Sequence, residues 1–296
     1  MKIHLHTDHH FVTGYRHLSD GKPCQDHAMS GVVTDDGEIK LAYAVVSDGC
    51  SSGGETDIGA RLMTAISAKH FRENYCTGDR EILIEKEVWD AADMLGLQDD
   101  DLLATHLYAA VDCDGAALIV IRGDGVVVFL DRFGTPTIFR YEWAKEAPHY
   151  PMQSNLNGFY RLHGGADAKA LKISCWKPDQ FGVLEQFSEN EQTVEEACRG
   201  QHCLMPDASD LSAIILFSDG VCKVDKIDWL DAIEQLIAFK DRKGIFAKRR
   251  MMRFVRDAMK LGHGPIDDLS YAVISIQPES ADPFEIDNGH LSRTGE

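Results

Sequence analysis

Two apolar runs in this chain stop in the same way. Leu41 to Val46 ends at Ser47-Asp48-Gly49, and Leu211 to Phe217 ends at Ser218-Asp219-Gly220. Each run reads as a buried strand. Each therefore leaves a carboxylate where a strand emerges from a core. The glycine that follows has a bare backbone, which lets its carbonyl approach a ligand closely. After the first motif, a loop rich in Gly and Ser leads into a helical pattern from Ile58. Asp and Gly are ordinary turn formers. They are also oxygen donors of the kind that Mg2+ and Mn2+ prefer. One such motif decides nothing between a turn and a cation site, so the rest of the chain must.

Bulk properties narrow the choice. With 296 residues, 44% of them hydrophobic, the chain can bury a sizeable core. Its formal charge is -18, from 48 acidic and 30 basic residues. A general grip on nucleic acid needs a basic face, so that class is excluded. Eight cysteines stand at no framework spacing. There is no charged-then-apolar leader, and no apolar run long enough to span a bilayer. A reduced, cytoplasmic compartment and no membrane partner are the expectation. Cys198 and Cys203 flank His202, but no second ligand pair stands at a finger spacing to complete a zinc site. His4, His6, His9 and His10 read as exposed histidines on a strand and turn.

The pattern along the chain is strands, two helices, more strands, two helices and one strand. An edge strand over residues 1–10 precedes a turn at Ser19 to Pro23. Ala28 to Val33 and Lys40 to Val46 form a hairpin about Thr34-Asp35-Asp36-Gly37. Helices are expected over Thr56 to Tyr75 and Arg80 to Leu97. Strands at Ala104 to Val111, Ala116 to Ile121, Val126 to Leu130 and Thr135 to Tyr141 read as one antiparallel meander. Glu142 to Ala168, with several Pro, Gly and Asn, reads as a long surface loop. Strands at Leu171 to Cys175, Phe181 to Phe187 and Leu211 to Phe217 follow. Helices at Trp229 to Phe239 and Ile245 to Leu261 precede a final strand, Leu269 to Ile276, entered through Asp267-Asp268. One domain over 1–277 and a loose tail over 278–296 are expected.

Asp26, Asp48, Asp219 and Asp267 thus all stand at strand edges, and Asp124 lies in a Gly-Asp-Gly turn. Carboxylates that converge repel each other unless cations bridge them. Paired divalent ions can activate a water and grip phosphate oxygens, which is chemistry for hydrolysing a phosphoester.

The order Cys24-Gln25-Asp26, Val45-Val46-Ser47-Asp48-Gly49, Gly123-Asp124-Gly125, Leu216-Phe217-Ser218-Asp219-Gly220 and Asp267-Asp268-Leu269-Ser270 resembles the metal-dependent protein phosphatase 2C family, its bacterial members most. The resemblance covers roughly residues 10 to 277. It implies an α+β fold, a four-layer α-β-β-α sandwich with two antiparallel sheets. It implies that Asp48 bridges two Mg2+ or Mn2+ ions, and that Asp219 and Asp267 complete the first site. The Gly49 carbonyl helps bind the second ion, and Asp26 orients water. Asp124 with Asp219 holds a third, weaker ion.

Two departures stand out. Gln25 occupies a place where the family often has Glu, and no arginine stands at the distance of the family's phosphate-gripping residue. Arg16, His17 and Lys22 are the candidates for that grip, and His17 is also a candidate proton donor to the leaving group. Cys50, next to Gly49, is expected beside the site, and Arg61 on the following helix to pair with a carboxylate. The implied activity is a serine/threonine protein phosphatase acting on a phosphorylated protein, in signalling opposite a serine/threonine kinase. The alternative is a catalytically weak module that binds a phosphoprotein or kinase.

Overall fold

The computed structural model describes residues 3–73, 80–199 and 202–278. Cys76, and the expected tail beyond Pro278, lie outside the described residues. In chain order the elements are β1 (Ile3–Val12), α1 (Tyr15–Asp20), β2 (Asp26–Asp35), β3 (Glu38–Asp48), α2 (Thr56–Glu73) and α3 (Arg80–Leu95). Then come β4 (His106–Asp112), β5 (Ala117–Arg122), β6 (Gly125–Asp131), β7 (Pro136–Trp143), α4 (Leu156–His163), β8 (Lys169–Pro178) and β9 (Leu184–Thr193). The last are α5 (Val194–Arg199), β10 (His202–Leu204), β11 (Leu211–Phe217), α6 (Trp229–Ile237), α7 (Phe246–Lys260) and β12 (Leu269–Pro278).

The strands form a seven-stranded sheet, β1-β12-β11-β6-β7-β8-β9, and a five-stranded sheet, β10-β5-β4-β3-β2. Every pairing is antiparallel. The side-chain period of two sorts each strand between two cores. On β3, Ala42, Ala44 and Val46 face the other sheet, while Leu41, Tyr43 and Val45 face α2. On β12, Ala272, Ile274 and Ile276 join the inter-sheet core, while Tyr271 and Val273 pack under α6 and α7. Phe71 of α2 stacks on Tyr43, with ring centroids 5.1 Å apart. Met63 and Ile66 of α2 meet Ile84, Val88 and Ala92 of α3. The layers run α2/α3, five-stranded sheet, seven-stranded sheet, α6/α7, the sandwich that the resemblance implied.

Three readings need correction. The expected meander is split, because β4 and β5 lie in one sheet and β6 and β7 in the other. The chain crosses between sheets at Gly123-Asp124. Gly123 has φ 108°, and a side chain there would collide with Thr105. Its carbonyl accepts a hydrogen bond from Trp143 Nε1 at 2.9 Å, which pins the crossing. Turn spacing cannot distinguish a hairpin from such a crossing. The long loop over 142–168 contains α4, capped by the Asn155 side chain on Gly158 N and by Gly164 in the left-handed region. The turn at 19–23 is preceded by the short helix α1, which ends at Gly21 with φ 67°.

Candidate metal-binding active site

Strand pairing brings the acidic strand ends to one end of the sandwich. Asp26 opens β2 and is the register partner of Asp48, which closes β3. β11 and β12 pair as Phe217 with Tyr271, so Asp219 and Asp267 leave the same end of the other sheet. Phe217 also pairs with Val126, which places Asp124 there. Asp48, Gly49, Asp124, Asp219 and Asp267 line one cleft of about 600 Å³, with Arg16, Cys50, Tyr150 and Lys223 among its other walls.

The backbone around the acids is closely tied. Thr105 N donates to Asp48 O at 2.8 Å, and Asp48 N donates to Thr105 Oγ1 at 2.9 Å. Gly49 N donates to Gln25 O at 3.1 Å. Ser218 Oγ, on one sheet, donates to Asp26 Oδ2, on the other, at 2.5 Å. Ser218 Oγ in turn accepts from Ser270 N at 3.0 Å. A buried serine therefore locks the two sheets together beneath the site.

Electrostatics reflect the crowding. Burial pushes the Asp26 carboxyl up to about 7, with Asp268 adding to the rise and the Ser218 hydrogen bond opposing it. Burial, then the charges of Asp26, Asp219 and Asp124, raises Asp48 well above the usual carboxylate range. Asp124 is raised by burial and Asp219. Protons or cations must hold this group together.

The donor chemistry fits hard divalent ions. Asp26 Oδ1, Asp219 Oδ1 and Gln25 Oε1 are buried acceptors without a hydrogen-bond partner. All are oxygens, as Mg2+ and Mn2+ prefer. Among the described residues, however, no three ligating side chains already form a cage. A lysine stands in the way: Lys223 Nζ is 2.7 Å from Asp219 Oδ2 and 3.0 Å from Asp267 Oδ2.

The other predicted residues separate. Asp268 is buried and accepts from Gly14 N at 2.8 Å and Gln25 N at 2.5 Å, and its Oδ2 is hydrogen bonded to His17 Nδ1 at 2.9 Å. His17 is therefore turned to Asp268 and is not among the cleft walls, whereas its neighbour Arg16 is. Lys22 is exposed and also off the cleft. Arg61 lies 3.9 Å from Asp57, one helical turn away. Cys50 lines the cleft, its Sγ 3.2 Å from Ser52 Oγ. All seven described cysteines are free thiols. Thr105, Ser218 and Lys223 escaped the sequence reading. Ser218 had a signal, the serine that precedes Asp-Gly in both motifs. Lys223 had another, a cation four residues past Asp219 on a tight turn.

Comparison with known proteins agrees with this geometry. The family model described as protein phosphatase 2C matches residues 13–147, the stretch that carries Asp26, Asp48 and Asp124. No curated protein sequence matches the chain. Similar solved structures include a bacterial serine phosphatase with an R161E mutation, at TM-score 0.51 and 10% identity, covering 93% of this chain and 99% of that one. A sex determining protein from C. elegans has TM-score 0.52 and 14% identity, covering 92% of this chain and 64% of that one. The PP2C phosphatase domain and regulatory fragment of the cell fate determinant SpoIIE from Bacillus subtilis has TM-score 0.50 and 11% identity, covering 95% and 64%. This chain thus spans about two thirds of the last two. Residues 13–147 thus match the protein phosphatase 2C family model, and the chain shares its fold with these solved structures.

Among the described residues no helix is long and apolar enough to cross a membrane.

Proposed function

We propose that this protein is a divalent-metal-dependent phosphatase that removes phosphate from phosphoserine or phosphothreonine on a protein. The observation that carries the reading is the set Asp48, Asp124, Asp219 and Asp267 around one cleft, backed by the unpartnered oxygens of Asp26 and Asp219. Mg2+ or Mn2+ bound there supplies Lewis acidity and an activated water. Asp48 would be shared between two such ions, with Asp219 and Asp267 as further ligands of the first and the Gly49 carbonyl as a ligand of the second. Asp124 with Asp219 would offer a third position.

The chain's own residues do the rest. Asp26 is held through Oδ2 by Ser218, so its free Oδ1 accepts a hydrogen bond from the attacking water and orients it. Arg16 grips the substrate phosphate at the cleft mouth. His17 positions α1, and with it Arg16, through its hydrogen bond to Asp268. Such an enzyme acts opposite a serine/threonine kinase, and the cytoplasm suits its free thiols.

The test is release of phosphate from a phosphothreonine peptide, with Mn2+ and with chelator. Turnover that requires the ion supports the reading, and turnover in chelator refutes it. The second reading, a module that binds a phosphoprotein with little turnover, is favoured by Lys223 between two expected ligands. Peptide binding without phosphate release at any Mn2+ concentration would select it.

A further inference from the structure

Lys223 stands where the first ion is expected. Its backbone is fixed from both sides, since Lys223 N donates to Gly220 O at 3.0 Å and Ile266 N donates to Lys223 O at 2.8 Å. The first contact ties it to the Asp219 turn and the second to the segment entering Asp267. Its side chain, 32% exposed, lies along the cleft and its ammonium contacts both carboxylates. An ammonium and a divalent ion cannot share that position, because like charges a few ångström apart repel and the same oxygens serve both. The Asp48–Gly49 position differs. The groups tied to it are Gln25, Asp26 and Thr105, none of them cationic.

We propose that Lys223 is a built-in competitor for the cation at the Asp219–Asp267 position. The ammonium bridges the two carboxylates in the metal-free protein, and an ion enters only by displacing it. The free cleft around Arg16, Cys222 and Lys223 gives the lysine stem room to swing outward. The inference rests on the reading of these carboxylates as a cation site. Its consequence is that the two metal positions answer to different residues. Occupancy of one is set by exchange with a tethered ammonium, and the cleft keeps a positive charge in either state.

The test is Mn2+ binding, followed by calorimetry on metal-stripped wild type, Lys223→Met and Lys223→Arg. Far-UV circular dichroism checks that each is folded. Lys223→Met should tighten one class of Mn2+ site at least tenfold and leave the other class unchanged. Lys223→Arg, which keeps the charge, should show no such gain. In chelator, Lys223→Met should melt below wild type, because Asp219 and Asp267 lose their counter-charge, and Mn2+ should raise its melting temperature by more. Isotherms that superimpose, or weaker binding by Lys223→Met, would overturn the proposal. Its failure is distinct from failure of the phosphatase reading. Shifted isotherms without peptide hydrolysis leave the competitor role standing and reject the enzyme. Ion-dependent hydrolysis with superimposable isotherms does the reverse.

Discussion

Asp26 and Asp48 face each other across the last rung of the β2–β3 ladder, where burial raises both carboxyls and the charge of Asp26 raises Asp48 further. The metal-free site therefore stores repulsion that an ion relieves. Asp48→Asn removes one charge from the group. On the proposed function it should lower phosphatase turnover by roughly a thousandfold or more, since the ligand proposed to serve both ions would be lost. In chelator it should stabilise the fold by roughly 1–2 kcal/mol, because a crowded buried charge is gone. Paired activity and denaturation measurements check both signs. A variant that is less stable in chelator would contradict the picture of stored repulsion.

Gly220 shows how tightly the acids are cradled. A Cβ there would lie 1.8 Å from the Asp268 carbonyl oxygen, which is backbone and cannot rotate away. Gly220→Ala must push the Asp219 turn off the segment that enters β12. The expected cost is about 1–3 kcal/mol or more, the range for forcing atoms into packed space. Mn2+ binding should weaken with it, as Asp219 and Asp267 are spread apart. Urea denaturation and Mn2+ titration of the one variant test the coupling. A normal stability would show that the two segments can separate freely.

His106 makes a prediction about acid. It is buried at the start of β4, and its Nε2 lies 2.9 Å from Ser67 Oγ. Ser67 Oγ donates to Met63 O, so the imidazole must donate to the serine from Nε2. Burial, helped by the charge of Arg122, pulls its pKa from 6.5 down to about 3. The folded state thus binds this proton more weakly than the unfolded state does. The contribution of neutral His106 is complete above pH 6.5 and is lost as pH falls from there towards 3. The slope approaches about 1.4 kcal/mol per pH unit. The raised carboxyls of Asp26, Asp48 and Asp124 act with the opposite sign, so the difference between wild type and His106→Gln is the quantity to read. It should shrink steadily between pH 6 and pH 4 under chelator. Parallel stability curves would mean that His106 titrates normally.

Much of this was legible because strands leave a regular imprint. The alternation Leu41, Tyr43, Val45 against Ala42, Ala44, Val46 is written in the residues, and so are the Asp-Gly stops at 48–49 and 219–220. Asp124 was visible as a turn, but its partners were not. Local spacing carries no sign of whether the next strand joins the same sheet, so the crossing at Gly123 looked like a hairpin. α4 was hidden among Pro, Gly and Asn, where capping by Asn155 and Gly164 counts for more than apolar periodicity. Lys223 was passed over because its meaning depends on Asp267, 44 residues away, and such a pairing exists only once β11 and β12 lie side by side. The placing of His17 was hidden for the same reason. Its partner Asp268 is brought to it by the fold, and that contact turns the ring from the cleft.

Gln25 stands where a glutamate would add charge near the Asp48–Gly49 position, and its surroundings bear on what that substitution would do. Its amide Nε2 donates to Thr56 Oγ1 at 2.8 Å, while its Oε1 is buried without a partner. Thr56 Oγ1 in turn donates to Cys50 O at 3.0 Å, so its hydrogen is committed. In Gln25→Glu, the oxygen that replaces Nε2 would face a hydroxyl that has no hydrogen to give. The new carboxylate would also add charge beside Asp26 and Asp48. In chelator the variant should therefore be less stable than wild type. With Mn2+ the same charge becomes an advantage at the Asp48–Gly49 position. Binding there should tighten by roughly tenfold if the added charge contributes about 1.4 kcal/mol in this partly solvated cleft. The site at Asp219 and Asp267, across the cleft, should be unmoved, so Gln25→Glu and Lys223→Met should shift different classes of ion. Titrating Mn2+ against both variants and wild type decides the matter. If Gln25→Glu leaves every binding constant in place while lowering stability in chelator, Gln25 is a structural partner of Thr56 and has no part in holding metal.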